Sequence, residues 1–448
     1  MTLTPTAILP SQDDALELVE SVIEQSQSDG VFVSFRASDR ALSRFSENQI
    51  SQNLSRDRVK LTVTSFYGKR SASATTTELE PEAIAQTVRR SQDLARVAPE
   101  DPEWVPLLEP QQYDNREPGF DKEIALMSPL QRGERVRQVC AASVDAGVEG
   151  SGTLSTEASL LAIGNSLGLR GCDRTTEVDF SYTARIGNGS SWSRRTAWNL
   201  AGLPVEDLTR QTIDRAIASR NPRPIQPGTY PVIFAGAAFA DLLPWVIWNL
   251  DARAASEGRS FMSRTNEAGE TVGNRVGEPL FSPLVQVRRD PAHPLLQSGR
   301  FFEDGWSDRP LDIIQDGVPQ ALSYSRYWAA QHGKQPTGAF YPIAMAGSER
   351  SIGDLIAATE RGIFISRAWY VRYVNPRTLE VTGMTRDGTF WIEDGKLAYP
   401  IQNLRFNQVL PEMLAQVDAL AAPQRFGGVV VPGVRVKAFN FSSTSESI

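Results

Sequence analysis

The sequence predicts an α+β protein: two helix–antiparallel strands–helix units, then a large, mostly antiparallel β-rich C-terminal domain. Three observations predict it. Apolar residues recur at helical spacing on either side of alternating, strand-like runs, once before residue 100 and again between 129 and 217. Proline-rich stretches, Pro99–Pro118 and Asn221–Gly228, separate these units from each other and from the C-terminal domain. Beyond Thr229 stand four Asp-Gly pairs, at Asp304, Asp316, Asp387 and Asp394, which supply the positive φ of tight hairpins. The expected domains are residues 1–120, 121–224 and 225–448, within the two to four that roughly 100–200 residues per domain allows.

Ser11 ahead of Asp14 signals a helix start, and Ala15, Leu18, Val19, Val22 and Ile23 continue at helical spacing. Asp29-Gly30 ends that helix, and Val31–Phe35 reads as a strand. Arg58–Tyr67 alternates, with Val59, Leu61, Val63 and Ser65 on one face, and Arg70–Thr75 adds another extended stretch. Pro81 suits the first turn of a helix striped by Ile84, Ala85 and Val88. The second unit repeats the order, which suggests an ancient duplication without sequence identity. Its helix runs Pro129–Asp145 with Val136, Val139, Cys140 and Val144 inward; strands follow at Ser159–Ile163, Thr176–Arg185 and Ser191–Asn199, then a helix over Val205–Ile217. The C-terminal domain opens with a buried strand, Val232–Phe234, and an antiparallel sheet or partly closed barrel is expected, with helices over Ala237–Ser256, Ile352–Thr359 and Pro411–Leu420.

Composition excludes several functions. With 46 basic and 53 acidic residues the net charge is −7, so the field that draws in nucleic acid is missing. The doublets Arg194-Arg195 and Arg288-Arg289 are too short for a binding stripe. The chain holds two histidines, His293 and His332, and two cysteines, Cys140 and Cys172, at no short-spacing metal motif. Gly68-Lys69-Arg70 and Gly333-Lys334-Gln335 lack the rest of a P-loop. Met1–Asp14 shows no secretory leader, and two cysteines suit reduced thiols in a cytoplasm. Pro231–Leu250 is apolar enough to suggest a membrane span, but Asp241, Asn249 and Pro244 interrupt it, and a buried strand and helix are expected instead.

Gly164-Asn165-Ser166-Leu167-Gly168 fits the nucleophile-elbow pattern, but a polar strand-like run follows where a helix is required, so a turn is expected. Glu303-Asp304 and Glu393-Asp394 pair carboxylates that could do acid–base work, yet each precedes a hairpin glycine that explains it without chemistry. Each loop histidine is expected at the surface, and Cys140 in the core.

An ordered series of motifs adds to this reading. Asn165-Ser166 with Gly168, Tyr230–Phe234, Ala254–Phe261 and Asp290-Pro291 are followed by Phe302–Gly305, Ile314–Gly317 and Thr337-Gly338. Asp354-Leu355-Ile356, Gly362, Trp391–Lys396 and Pro400 complete it. On these the chain resembles the TldD/PmbA proteins, also called modulators of DNA gyrase, over nearly its whole length. The resemblance implies that TldD-type members are zinc metalloproteases, with an H-E-x-x-x-H helix just after the counterpart of Tyr230–Phe234 and a cysteine ligand near the C-terminus. PmbA-type members, also called TldE, lack these ligands and pair with TldD as a non-catalytic subunit; the pair processes peptides, including an antibiotic precursor and an antitoxin.

This sequence departs from the catalytic type. The two histidines would fall near Ala235 and Ala240, the glutamate near Gly236, and Ala421–Val430 contains no cysteine. The expectation is a PmbA/TldE-like pseudoprotease subunit with no catalytic residue, no metal ligand and no zinc. Its partner would be a TldD-type homologue or a second copy of itself, through the C-terminal domain, with a peptide as ligand and neither nucleic acid nor membrane. Motif positions Glu257, Gly258, Arg259, Ser260, Phe261, Glu303, Asp304 and Gly305 are the expected peptide contacts. Two alternatives stay open: a homodimeric peptide-binding module, and a hydrolase using another site such as Glu257, Ser260 or the Glu303-Asp304 pair.

Overall fold

The computed structural model describes residues 9–445; the reading of Met1–Ile8 as free of a secretory leader lies outside them. Helix α1 (Gln12–Glu24) begins where the Ser11 hydroxyl accepts the Asp14 N–H at 3.0 Å. Strands β1 (Gly30–Ser46), β2 (Gln49–Tyr67) and β3 (Arg70–Thr76) follow, then α2 (Pro81–Val97) with proline in its first turn. The short α3 (Lys122–Ala125) precedes α4 (Pro129–Asp145), which Ser128 and Gln131 close with a capping box. Then come β4 (Glu149–Asn165), β5 (Arg170–Ile186), β6 (Gly189–Ala197) and α5 (Val205–Ala218).

These strands make one antiparallel sheet, ordered β3-β2-β1-β4-β5-β6. Because β1 pairs with β4 from Phe32↔Asn165 to Phe45↔Gly152, the two sequence units share a single sheet. The helices cover one face of it. Val19, Val22, Ile84 and Val88 pack with Val33, Phe35, Leu61 and Leu160. Val136, Val139, Leu208 and Ile213 pack with Leu154, Val178 and Phe180. Each such side chain contributes roughly 1.5–3 kcal/mol on burial, so this face holds the layer together. Val144, expected inward, is 60% exposed. Its neighbour Ser143 takes the inward place, with its hydroxyl 2.7 Å from that of Tyr182.

The C-terminal part opens with β7 (Gly228–Phe234), α6 (Gly236–Ala240), α7 (Leu243–Trp248) and α8 (Ala252–Ser256). The single helix expected over Ala237–Ser256 is thus three short ones. Pro244 lies in the first turn of α7, and the Asp251 carboxylate caps α8 by accepting the Ala254 N–H at 2.7 Å. Next are β8 (Ser263–Thr265), β9 (Thr271–Asn274), β10 (Val287–Arg289), β11 (Leu311–Gln315), β12 (Val318–Pro319) and α9 (Arg326–Gln331). They are followed by β13 (Ile343–Met345), α10 (Ile352–Ala357), β14 (Arg361–Asn375), β15 (Glu380–Glu393) and β16 (Lys396–Pro400). The chain ends with β17 (Leu404–Val409), α11 (Leu410–Ala415), β18 (Val417–Phe426) and β19 (Val429–Thr444). The helix expected over Pro411–Leu420 stops at Ala415, because Val417 already pairs with Val436 of β19.

Strand β7 lies parallel to β14 and antiparallel to β19. With β15 and β17 between them, β7, β14, β15, β17 and β19 close into a ring, within a mixed eleven-stranded sheet. Phe234, Phe406, Phe439 and Phe441 meet in its core, with adjacent ring centroids 5.1–5.3 Å apart. Asp316-Gly317 and Asp394-Gly395 turn hairpins at positive φ, as expected. Asp387-Gly388 does not: both residues have positive φ inside β15, where the register with β14 shifts, and they form a bulge. No helix among the described residues is long and apolar enough to cross a membrane.

Candidate functional site

Strand β7 delivers α6 to the boundary between the two sheets. The Ala235 N–H donates to the Ile365 carbonyl at 2.9 Å, extending the β7–β14 ladder by one residue before the helix turns. A side chain at Gly236 would be crowded: a Cβ there would lie 3.0 Å from Phe426 Cε2, so the ring would have to give way, and 3.5 Å from the Val431 carbonyl. Phe426 belongs to Ala421–Val430, the stretch matched to the catalytic type's cysteine ligand. Gly236, Ala238 and Phe239 are buried, whereas Ala235 and Ala240 stay half-buried. Zinc requires nitrogen, thiolate or carboxylate donors. Ala235, Gly236, Ala240 and Phe426 offer none, so the residues here do not fit the metal. Among the described residues no group of three or more His, Cys, Asp or Glu side chains could hold a metal ion.

Asp241 follows at once. It keeps contact with solvent, yet protein atoms crowd its carboxyl, and burial pushes it up to about 6 while Arg367 and Arg194 pull it down. Strand β6 packs here against β14, β15 and β18. Arg194 holds Asp179 at 2.9 Å, and Arg367 holds the buried Asp387 at 2.8 Å. The Arg367 guanidinium also lies 4.3 Å from the Trp192 ring and 4.1 Å from that of Trp369. Arg425 donates to Glu177 at 2.6 Å, and the Gly427 N–H donates to Thr196 Oγ1 at 2.9 Å, tying β18 to the N-terminal sheet. Burial raises Glu177, against the pull of Arg425, and lowers Arg195 to about 10 beside the Phe426 ring. The arrangement gathers carboxylates, guanidiniums and indole faces that pair with one another.

Sequence reasoning passed over most of this cluster. Asp241 figured only as a charge interrupting an apolar run, and that isolation was the available signal. The expected contacts lie elsewhere. The Glu257 carboxylate sits between Arg253, at 3.0 Å, and Arg259, whose hydrogen bonds hold it below the usual glutamate range. Gly258 has a positive φ just past α8. The buried Ser260 hydroxyl donates to the Asn249 carbonyl at 2.8 Å, and Phe261 is buried beside Phe281. Glu303 pairs with Arg36 at 2.7 Å, Asp304 accepts the Trp306 N–H at 3.0 Å, and the Gly305 carbonyl accepts the Tyr113 hydroxyl at 2.8 Å. Both groups adjoin α9, where Arg253 lies over Trp328 and Asp304 acts electrostatically on Arg326.

Ser166 sits in the β4–β5 turn, its hydroxyl accepting the Val31 N–H at 3.1 Å. His293 Nδ1 accepts the Leu295 N–H at 3.2 Å, and His332 Nδ1 lies 2.9 Å from the Trp328 carbonyl. None of these makes a serine–histidine pair.

Comparison with known proteins places the chain among relatives. Residues 227–443 match the PmbA/TldA metallopeptidase C-terminal domain, and residues 114–220 match the central domain of the same family. Metalloprotease PmbA of Escherichia coli O157:H7 is 24% identical over 382 residues, covering 79% of this chain and 78% of the relative. Metalloprotease slr0863 of Synechocystis is 24% identical over 294 residues, covering 60% and 59%. The crystal structure of TldE from Thermococcus kodakarensis superposes with a TM-score of 0.83 at 20% identity, over 96% of this chain and 100% of that one.

Proposed function

The chain belongs to the PmbA/TldD metallopeptidase family, and from this we propose that it is a non-catalytic subunit supporting peptide processing by a metal-bearing TldD-type partner. The observation that carries the reading is Phe426 packed on Gly236, at the place matched to the metal helix. A glutamate at Gly236 would press on the Phe426 ring, and the histidine positions, Ala235 and Ala240, carry only methyl groups. The likeness to a TldE fold supports the same role. Under this reading the intact C-terminal ring offers the surface for the partner, and the side chains of Asp241, Arg194 and Trp192 face the peptide. The exposed charges of Glu257, Arg259 and Glu303 are proposed as outer contacts, with Gly258, Ser260, Phe261, Asp304 and Gly305 positioning them. The two free, buried thiols, Cys140 and Cys172, suit a cytoplasmic setting.

Co-expression with an H-E-x-x-x-H-bearing homologue tests the proposal. The expected result is a stable heteromer whose peptidase activity is lost when the partner's glutamate is replaced, and a lone chain carrying well under one zinc. Peptidase activity and stoichiometric zinc in the lone chain would overturn it. A homodimer that binds peptide but ignores the partner would establish the binding-module alternative instead.

A further inference from the structure

The sheet face turned away from the helices carries a segregated strip of cations. The register sets Arg36 opposite Lys60, Ser38 opposite Arg58, Arg40 opposite Arg56, and Arg44 opposite Gln52. Cross-strand partners share a face, so six cations lie together on two strands of a chain with net charge −7. Two of the pairings set like charges directly opposite, an arrangement that destabilises a sheet. Neutralisation is partial: Glu303 meets Arg36 at 2.7 Å and Glu157 approaches Arg40 at 4.0 Å. Arg44, Arg56, Arg58 and Lys60 form no ion pair among the described residues.

The same place has an open backbone edge. Strand β3 pairs with β2 only from Leu61 to Tyr67, so the outer edge of Gln49–Lys60 has no strand partner among the described residues. Charges on an edge strand commonly guard it against aggregation. Half of these cations, however, stand on β1, an interior strand, where no edge needs guarding. Leu42 faces Leu54 within the strip, and Leu54 is 54% exposed.

We propose that the open edge and basic face of β2 bind an extended, acidic polypeptide segment as an added strand. A strand laid along this edge places every second side chain on the cationic face. The segment would carry Asp or Glu at alternate positions toward Arg56, Arg58 and Lys60, with an apolar residue beside Leu54. The strip offers no aromatic ring for stacking bases, which favours a peptide over single-stranded nucleic acid. The inference rests on the preceding reading only in taking the ligand to be a polypeptide, and it needs neither partner nor metal.

Fluorescence anisotropy on the full chain tests it, with a labelled peptide of sequence Leu-Thr-Glu-Thr-Glu-Thr-Glu. Saturable binding is expected, falling at least tenfold for an Arg56→Gln/Lys60→Gln double variant and falling steeply with added salt. Binding should also be lost when alternate peptide nitrogens are methylated in the register that faces the edge, and kept when the other alternate set is methylated. Equal binding by a peptide with its glutamates contiguous, tighter binding by an oligothymidylate, or unchanged affinity in the double variant would each overturn the proposal. Circular dichroism checks the variant's fold; were it unfolded, the methylated peptides on the unmodified protein decide alone. Loss of this binding with an intact heteromer, or the reverse, separates this proposal from the subunit role.

Discussion

The ring of Phe426 lies where a side chain on Gly236 would go, its Cε2 3.0 Å from the position of a Cβ. One residue comes from the turn after β7 and the other from the end of β18, so the contact locks two distant parts of the chain. Gly236→Ala should destabilise the protein by about 1–3 kcal/mol through overpacking. Phe426→Ala should cost about 3–5 kcal/mol through cavity formation. Urea unfolding of the double variant should show a loss smaller than the sum, because the cavity relieves the clash. Strict additivity would show that the two residues do not touch.

Arg425 links the C-terminal part to the N-terminal sheet through Glu177. The arginine side chain is 9% exposed and the glutamate 42%. Removing the guanidinium strands a carboxylate that burial already disfavours. Arg425→Ala should cost about 2 kcal/mol, below the usual figure for a fully buried pair because solvent still reaches Glu177. Limited proteolysis should cut the linker Asn221–Gly228 faster in this variant than in the parent.

Asp241 should make stability depend on pH. Its folded value, about 6, lies above the ordinary carboxylate value. Its contribution is therefore fully present below about pH 4 and is lost as pH rises through 6. Asp241→Asn should raise the thermal midpoint at pH 8 and leave it almost unchanged at pH 4. Equal shifts at both values would assign the effect to packing instead.

The thiols should be silent. Burial raises Cys140, and burial with Asp173 nearby pushes Cys172 up to about 12. A thiol nucleophile reacts as thiolate, so a disulfide reagent should label neither residue at pH 8 until denaturant is added. Fast labelling of either one would mean that its sheet or helix opens in the native state.

Much of the fold was legible where local signals coincide with packing. Helix α4 runs from Pro129 to Asp145 as read, because a cap and a proline mark its start. Strand β1 was legible only as Val31–Phe35, although it runs to Ser46. Between Phe35 and the buried Phe45 its inward residues are small or polar, Ala37, Asp39, Ala41 and Ser43, and its outward ones are largely cations, so no apolar alternation survives there. The donor-free residues Ala235, Gly236 and Ala240 were legible as such only through the family resemblance. The phenyl ring packed against Gly236 was not, since Phe426 lies 190 residues away along the chain. The pairing of β1 with β4, which joins two units into one sheet, likewise depends on long-range register rather than local pattern.

The ring of β7, β14, β15, β17 and β19 closes through main-chain bonds. None of those bonds involves the side chains of the turn that follows β7. Architecture and chemistry are therefore separable inheritances in this molecule: a descendant can discard every reactive group at α6 and keep its overall shape. Such a scaffold is tolerant ground for the drift from enzyme to companion, and equally for the reverse.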